Sequence, residues 1–350
     1  MVTFVIRRIA LSIPVLLLAS VLVFLFVRAT TDPLARVAQV NDPNARTRLA
    51  VQFGLQEEPC RPIVTTTSDG IQVESRTPGG EAILKCRDVP VMTQYVRYMG
   101  DLVRLDLPDS QLTREPVVDK LRRALGYTLQ LIFWGVLISA LIAITCGVYS
   151  AVRQHSFLDY AFTGLTFMAL AMPPFWFGLI AIQFGSVYLR SKFNLQDPIF
   201  YSVGIESDGP VDYARHLALP VATLCVQIIA SWTRFQRSSM LDVMNADYIR
   251  TAKAKGLSRG KVVFKHGLRN GLIPLVTVMA IDIGSLFGGL IITEQIFGIP
   301  GMGQLFFDSL QNGDVNVLLP WLLLTATFVI LFNLLADVLY GALDPRIRVA

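Results

Sequence analysis

Leu125–Val152 reads LGYTLQLIFWGVLISALIAITCGVYSAV, 28 residues without a charged side chain, and Arg153 follows at once. A membrane-crossing helix needs roughly 20 mostly apolar residues, because the bilayer core offers no water to unpaired backbone groups. The stretch therefore reads as a membrane span, and the rest of the chain is organised around it. Of 350 residues, 53% are hydrophobic and 16% charged, against roughly 25% charged in an ordinary soluble domain. So few charges cannot cover a water-facing surface. The net charge of +5 would admit a nucleic-acid partner. The basic residues, however, gather at the ends of apolar runs, which fits membrane topology better than a phosphate-binding face. No nucleic acid is expected.

Five further spans are expected, at Ile9–Val27 and about Tyr160–Leu189, Leu217–Trp232, Leu272–Thr293 and Val317–Tyr340. The first follows Arg7 and Arg8 like a signal peptide, but it is long for one and no small-x-small cleavage site follows, so an uncleaved span is expected. In the third, Pro173 and Pro174 remove adjacent backbone donors and predict a kink or a tilted half-helix. Pro220 is placed near the start of the fourth span, where proline is tolerated best.

Lysine and arginine stay on the cytoplasmic side of short loops. Arg7, Arg8, Arg153, Arg346 and Arg348 flank spans, and Arg234–Arg269 carries nine basic residues against Asp242 and Asp247. Thr293–Asn316 has no basic residue, only Glu294, Asp308 and Asp314. Six spans with both termini cytoplasmic satisfy these counts. The expected fold is an all-α integral membrane protein with its first transmembrane helix in residues 1–28. An extracytoplasmic lobe at 29–123, a five-helix membrane domain at 124–343 and a cytoplasmic tail at 344–350 follow. The connection at about 234–270 is cytoplasmic.

Long loops translocate whatever their charge, so the arginines of 29–123 do not oppose this topology. Pro43, Pro59, Pro62, Gly70, Pro78, Gly79, Gly80 and Pro90 suggest a small lobe, ending in an interfacial helix within Pro90–Leu107. Cys60 and Cys86 fall in the lobe, where an oxidising exterior permits a bridge; two free thiols or a metal pair are the alternatives. Cys146 and Cys225 read as buried small apolar residues.

Little in the chain suggests catalysis. Gly256–Gly260 matches the G-x-S-x-G nucleophile elbow, but it sits in a basic loop between spans rather than at a strand-turn-helix. Gly256–Lys261 is one residue short of the Walker spacing and no strand precedes it, so this chain is not expected to hydrolyse ATP. His155, His216 and His266 lie far apart, and no metal site is expected. Gly284 and Gly288 put two small residues on one helix face, for close packing within the bundle or with a partner. Asp282, midway along the fifth span, must face a partner group or a watery cavity. Contact with a substrate path and structural hydrogen bonding both remain open for it.

The segment Asp247–Leu257, DYIRTAKAKGL, combines a helix-capping aspartate, a small-residue face at Ile249, Ala252 and Gly256, and a glycine placed to end the helix. That face would suit docking against another protein; a solvated basic loop is the alternative. The stretch resembles the coupling-loop signature of dipeptide and oligopeptide ABC-importer permeases. The resemblance continues through HGLRNGLIP at His266–Pro274, EQIFGIPGMG at Glu294–Gly303, ALDPRIR at Ala342–Arg348 and the opening IRRIALSIPVLL. It covers nearly the whole chain apart from the exterior lobe, which is longer than the family leads one to expect. Where the wider importer superfamily has Glu-Ala-Ala, this chain has Arg250-Thr251-Ala252, the form of the peptide branch.

The resemblance implies a type I importer permease fold in a bacterial cytoplasmic membrane, multi-pass and surrounded by lipid. It implies a second homologous permease subunit, cytoplasmic ATPase subunits carrying ATP and Mg, and an extracytoplasmic substrate-binding protein that delivers peptide. No cofactor bound by this chain itself is implied. Asp247, Tyr248, Arg250, Thr251, Ala252, Lys253, Ala254, Gly256 and Leu257 would form the ATPase-coupling segment, and Pro173, Pro174, Asp282 and Glu294 would shape the passage. Related importers for nickel or glutathione, an ion-driven secondary transporter and a membrane-embedded hydrolase are the alternatives. The second predicts inverted repeats that the sequence does not show, and the third lacks a nucleophile-base constellation.

Overall fold

Apolar length and proline placement set the helices of the computed structural model, which describes residues 2–30, 43–52, 54–66, 72–77, 80–205 and 208–343. The expected tail at 344–350, with Arg346 and Arg348, lies outside the described residues, as do Gly70, Pro78 and Gly79. Helix α1 (Val2–Thr30) is followed by α2 (Pro43–Gln52), strands β1 (Gln56–Pro62), β2 (Val64–Thr66), β3 (Gln72–Glu74) and β4 (Leu84–Asp88), and α3 (Val91–Arg104). Then come α4 (Val117–Val152), α5 (Phe157–Ala171), α6 (Pro174–Ala181), a π-helical stretch Ile182–Tyr188 and α7 (Leu189–Lys192). The long α8 (Pro210–Met244) leads to α9 (Asp247–Ala254), α10 (Arg259–Lys261), a second π-helical stretch Val262–Leu268 and α11 (Arg269–Gly289). Helices α12 (Ile291–Phe297), α13 (Met302–Gln311) and α14 (Val315–Leu343) complete the described chain.

Five segments are each long and apolar enough to cross a membrane: Ile6–Thr30, Val117–Val152, Pro210–Met244, Arg259–Gly288 and Val315–Leu339. Helix α5 and Pro174–Lys192, bent by 104° at a short break, pass the same test together and bring the candidate spans to six when counted as one. The bend falls where the two prolines were expected to break the helix. Pro173 is extended and Pro174 opens α6, and the Gln227 amide donates to the Met172 carbonyl at 3.2 Å.

Several extents differ from the sequence reading, among them the fifth span, which runs Arg259–Gly288 rather than Leu272–Thr293. Helix α4 begins at Val117, inside the expected lobe at 29–123, because Lys120, Arg122 and Arg123 hide its first turns from an apolar-length criterion. Helix α8 likewise overruns Leu217–Trp232 at both ends, so Pro220 lies well inside it and Pro210 takes the first-turn position. The acidic connection Thr293–Asn316 contains the end of α12 and all of α13, helices too short for that criterion to register.

One compact unit comprises Ala19–Asp119 and Ser309–Leu322. Its strands form two antiparallel ribbons, β1 with β4 and β2 with β3. Two-stranded ribbons are marginal alone, and here a Cys60–Cys86 disulfide clamps β1 to β4. Buried Asn44 of α2 donates to the Ala82 carbonyl and accepts from the Leu84 amide, both at 3.0 Å. Helix α3 packs one face on the end of α1, with Tyr95 hydroxyl 2.7 Å from Ser20 Oγ and its ring edge-on to Phe24. Replacing both Cys60 and Cys86 by serine is expected to cost this unit about 3 kcal/mol of stability. Limited proteolysis would show it as earlier cleavage between residues 43 and 90 with the spans intact.

The second unit comprises the chain up to Leu18, Lys120–Asp308, and Leu323 onward. Its core gathers Leu131, Trp232, Leu275, Phe287, Phe297 and Ile299 from α4, α8, α11, α12 and the turn after it. Glycines set the closest helix approaches. A Cβ on Gly135 would lie 2.5 Å from Leu224 Cδ2, and one on Gly147 would lie 2.7 Å from Gln236 Cβ. On α11, Gly284 and Gly288 meet Phe332 and Thr325 of α14, so the G-x-x-x-G pair packs within the chain. Cys225 is buried, but Cys146 is only half-buried, because its side of α4 is not covered by this chain.

Candidate functional site

Helix α9 follows directly on α8. Ala246, not Asp247, is its N-cap and no side chain caps it. The Asp247 carboxylate turns instead towards Arg250, 3.5 Å away on an exposed surface. An eight-residue helix is too short to persist in water unaided, so packing must hold it. Ile249 and Ala252 are 0% and 6% exposed and pack on Val243, Met244 and Val262. The expected docking face at Ile249 and Ala252 is therefore turned inward, because these are the residues that anchor the helix to its own chain. Tyr248, Arg250, Thr251, Lys253 and Ala254 form the exposed side.

Gly256, at φ 75°, ends the helix in the left-handed region that glycine enters without steric cost. Its amide donates to the Lys253 carbonyl at 3.0 Å. Leu257 is exposed beyond it, and Arg259 donates to the Val152 carbonyl at 3.1 Å. A recess of about 470 Å³ lies behind the helix, walled by Val152, Gln154, Asn245, Lys253, Leu257 and Arg259 among others. Ser258 of the G-x-S-x-G stretch opens α10. A helix-turn-helix thus replaces the strand-turn-helix that a nucleophile elbow requires.

The passage candidates fall in separate surroundings. Pro173 and Pro174 sit at the bend described above. Asp282 accepts a hydrogen bond from Trp232 Nε1 at 2.7 Å, which ties α11 to α8. Glu294 is fully buried. Its Oε1 accepts from Thr128 Oγ1 at 2.6 Å, and its Oε2 accepts from the Gly303 and Gln304 amides at 2.6 and 3.0 Å. The Met302 amide donates to Thr128 Oγ1 at 2.8 Å. The first turn of α13 is thereby capped by a carboxylate from α12 and a hydroxyl from α4, where a helix leaves its amides unpaired. Burial pushes the Glu294 carboxyl above its ordinary pKa, and the hydroxyl and two amides draw it partly back. A side chain so enclosed acts as a clasp between elements rather than as an open wall.

The sequence reading overlooked one buried cluster. Asp159, in the first turn of α5, is gripped by Arg237 of α8 at 2.9 and 3.1 Å. By charge alone Arg237 belongs with the basic connection, but α8 continues through it. The local signal was Ser156-Phe157-Leu158-Asp159, a Ser-x-x-Asp capping pattern; Ser156 Oγ accepts from the Asp159 amide at 3.2 Å.

Residues 143–349 match the family described as binding-protein-dependent transport system inner membrane component. The oligopeptide transport system permease protein AppB of Bacillus subtilis is 35% identical over 99% of this chain and all of its own length. The dipeptide transport system permease protein DppB of Escherichia coli is 32% identical over 99% of both chains. Among solved structures, a chain of the MetNI methionine ABC transporter in an inward-facing conformation aligns with a TM-score of 0.52 at 20% identity. The alignment covers 66% of this chain and 99% of that one.

Proposed function

The chain is a member of the binding-protein-dependent transport system inner membrane components, and from that membership we propose that it is one permease subunit of an ATP-driven peptide importer. Peptide as cargo rests on the names of AppB and DppB, which align with it from end to end. The basic segment carrying α9 faces the cytoplasm, both termini lie on that side, and the disulfide-clamped lobe lies outside, where a binding protein presents peptide. A second permease subunit supplies the other half of the passage. Separate ATPase subunits hold ATP and Mg.

One observation carries the coupling role. Helix α9 turns Ile249 and Ala252 into its own chain and leaves Tyr248, Arg250, Thr251 and Lys253 outside. Its anchor residues Val243 and Met244 end α8, and Val262 begins the π-helical stretch that leads into α11. A push on the exposed side is therefore delivered to spans four and five together. When the ATPase pair closes on ATP, that push favours one of two packed arrangements of the spans, the usual way a local contact becomes a rigid-body switch.

Charge reversal tests it. Arg250→Glu, on the exposed side, is expected to cut both binding-protein-stimulated ATP hydrolysis and peptide uptake by on the order of tenfold. Membrane insertion and pairing with the second permease should be unchanged. Full uptake by this variant, or recovery of the chain from mild detergent without an ATPase, would overturn the assignment.

A further inference from the structure

Asp159 is 2% exposed in a bundle where an unpaired charge has no water to turn to. Arg237 meets it through Nε and Nη2, at 2.9 and 3.1 Å. The same carboxylate accepts the His155 amide at 3.0 Å, with His155 itself at φ 60° in the turn between α4 and α5. One side chain thus fastens that turn, the start of α5 and the inner half of α8. The fastening continues along the two helices. The Arg234 guanidinium lies 5.3 Å over the Phe167 ring, and Gln227 holds the Met172 carbonyl at the bend. Positions 227, 234 and 237, spaced by seven and three, share one side of α8. A further tie runs to α11, where Ser239 Oγ donates to the Gly271 carbonyl at 2.8 Å. Towards α4, Gly147 packs against Gln236, whose buried amide makes no hydrogen bond, and Ser150 lies close to the Asp159 carboxylate.

We infer that Asp159 and Arg237 are positioning residues for energy coupling: their pairing makes α5 move with α8 and α9. The inference rests on the coupling role proposed for α9. A salt bridge suits the task because separating its members leaves the Asp159 carboxylate buried without its cation, while Arg237 keeps about a third of its side chain exposed. The unit formed by α5, α8 and α9 therefore responds as one body, and the second half of the bent span, α6, rests on α8 as well as on α12. Neither residue needs to touch peptide or ATPase.

The test uses the complete transporter in proteoliposomes, with its ATPase, second permease and binding protein, and reads ATP hydrolysed per peptide imported. Arg237→Gln and Asp159→Asn are each expected to raise that ratio by on the order of tenfold, with assembly and basal hydrolysis retained. A double variant guards against simple misfolding. Asp159→Cys with Arg237→Cys, in a background lacking Cys146 and Cys225, is measured before and after joining by a bifunctional maleimide of matching reach. Bridging should return the ratio towards that of the unaltered protein. A ratio unchanged in the single variants, or a bridged protein no better coupled than the unbridged one, overturns the inference. If the unaltered transporter imports peptide without hydrolysing ATP, the proposed function itself falls. If it couples normally and the variants couple equally well, only this inference falls.

Discussion

Glu294→Ala is expected to lower the stability of the protein by about 3–5 kcal/mol and to abolish transport. The change removes one carboxylate but strands three donors, the Thr128 hydroxyl and the Gly303 and Gln304 amides, at a site with no exposure. A buried donor without a partner costs roughly 1–3 kcal/mol, and the threonine can rotate to relieve part of its share. Glu294→Gln should be milder, since its single carbonyl can serve the two amides while its NH₂ turns to Thr128 Oγ1. Gly303→Ala attacks the same clasp from the other side. Its Cβ would sit 2.5 Å from Ile291 Cα and 2.7 Å from the Ile291 amide nitrogen, and backbone cannot swing aside as a side chain can. Thermal unfolding in detergent orders the set: alanine at 294 lowest, glutamine at 294 nearest the unaltered protein. An alanine variant that melts like the unaltered protein would refute the clasp.

Ile249→Ala should sever α9 from the bundle without touching its exposed side. Deleting a fully buried isoleucine side chain costs about 2–4 kcal/mol, more than an eight-residue helix can supply from its own hydrogen bonds. Hydrogen exchange should therefore quicken across residues 247–254 and nowhere else, and peptide uptake should fall at least as far as in Arg250→Glu. The two variants fail differently. Arg250→Glu alters what the ATPase touches, whereas Ile249→Ala lets the contact form on a helix that no longer pulls on α8 and α11. Retained protection at 247–254 in Ile249→Ala would show that something other than this packing holds α9.

The sequence made the spans legible because membrane insertion is decided by apolar length, which a linear reading measures directly. It located the bend at Pro173-Pro174 and the helix stop at Gly256 for equally local reasons, a missing donor and a backbone angle. What it missed depends on which residues meet. Arg237 looked like one more loop charge until α8 was seen to carry it to Asp159, and Glu294 looked like an open acid until Thr128 and the start of α13 closed round it. Ile249 shows the limit most clearly. Its spacing with Ala252 correctly marked one face of a helix, but spacing cannot say whether that face turns towards a stranger or towards its own chain. Helix α13 escaped for a related reason: its first-turn amides are met by Thr128 and Glu294, side chains outside the helix.

The two glycine contacts between α4 and α8 share an interval. Gly135 meets Leu224, Gly147 meets Gln236, and twelve residues separate the pair on each helix, about 18 Å of axial rise. Matched intervals act like two pegs on one rail: the helices point the same way, and neither can slip lengthwise without lifting both pegs from their sockets at once. A methyl at Gly147 would press on Gln236 Cβ and the Thr233 carbonyl, which cannot swing aside, whereas one at Gly135 would meet only the Leu224 side chain. Drift in the lineage at Gly147 should therefore be rare, and at Gly135 it should come with a smaller residue opposite, a paired signature that a collection of related sequences would reveal.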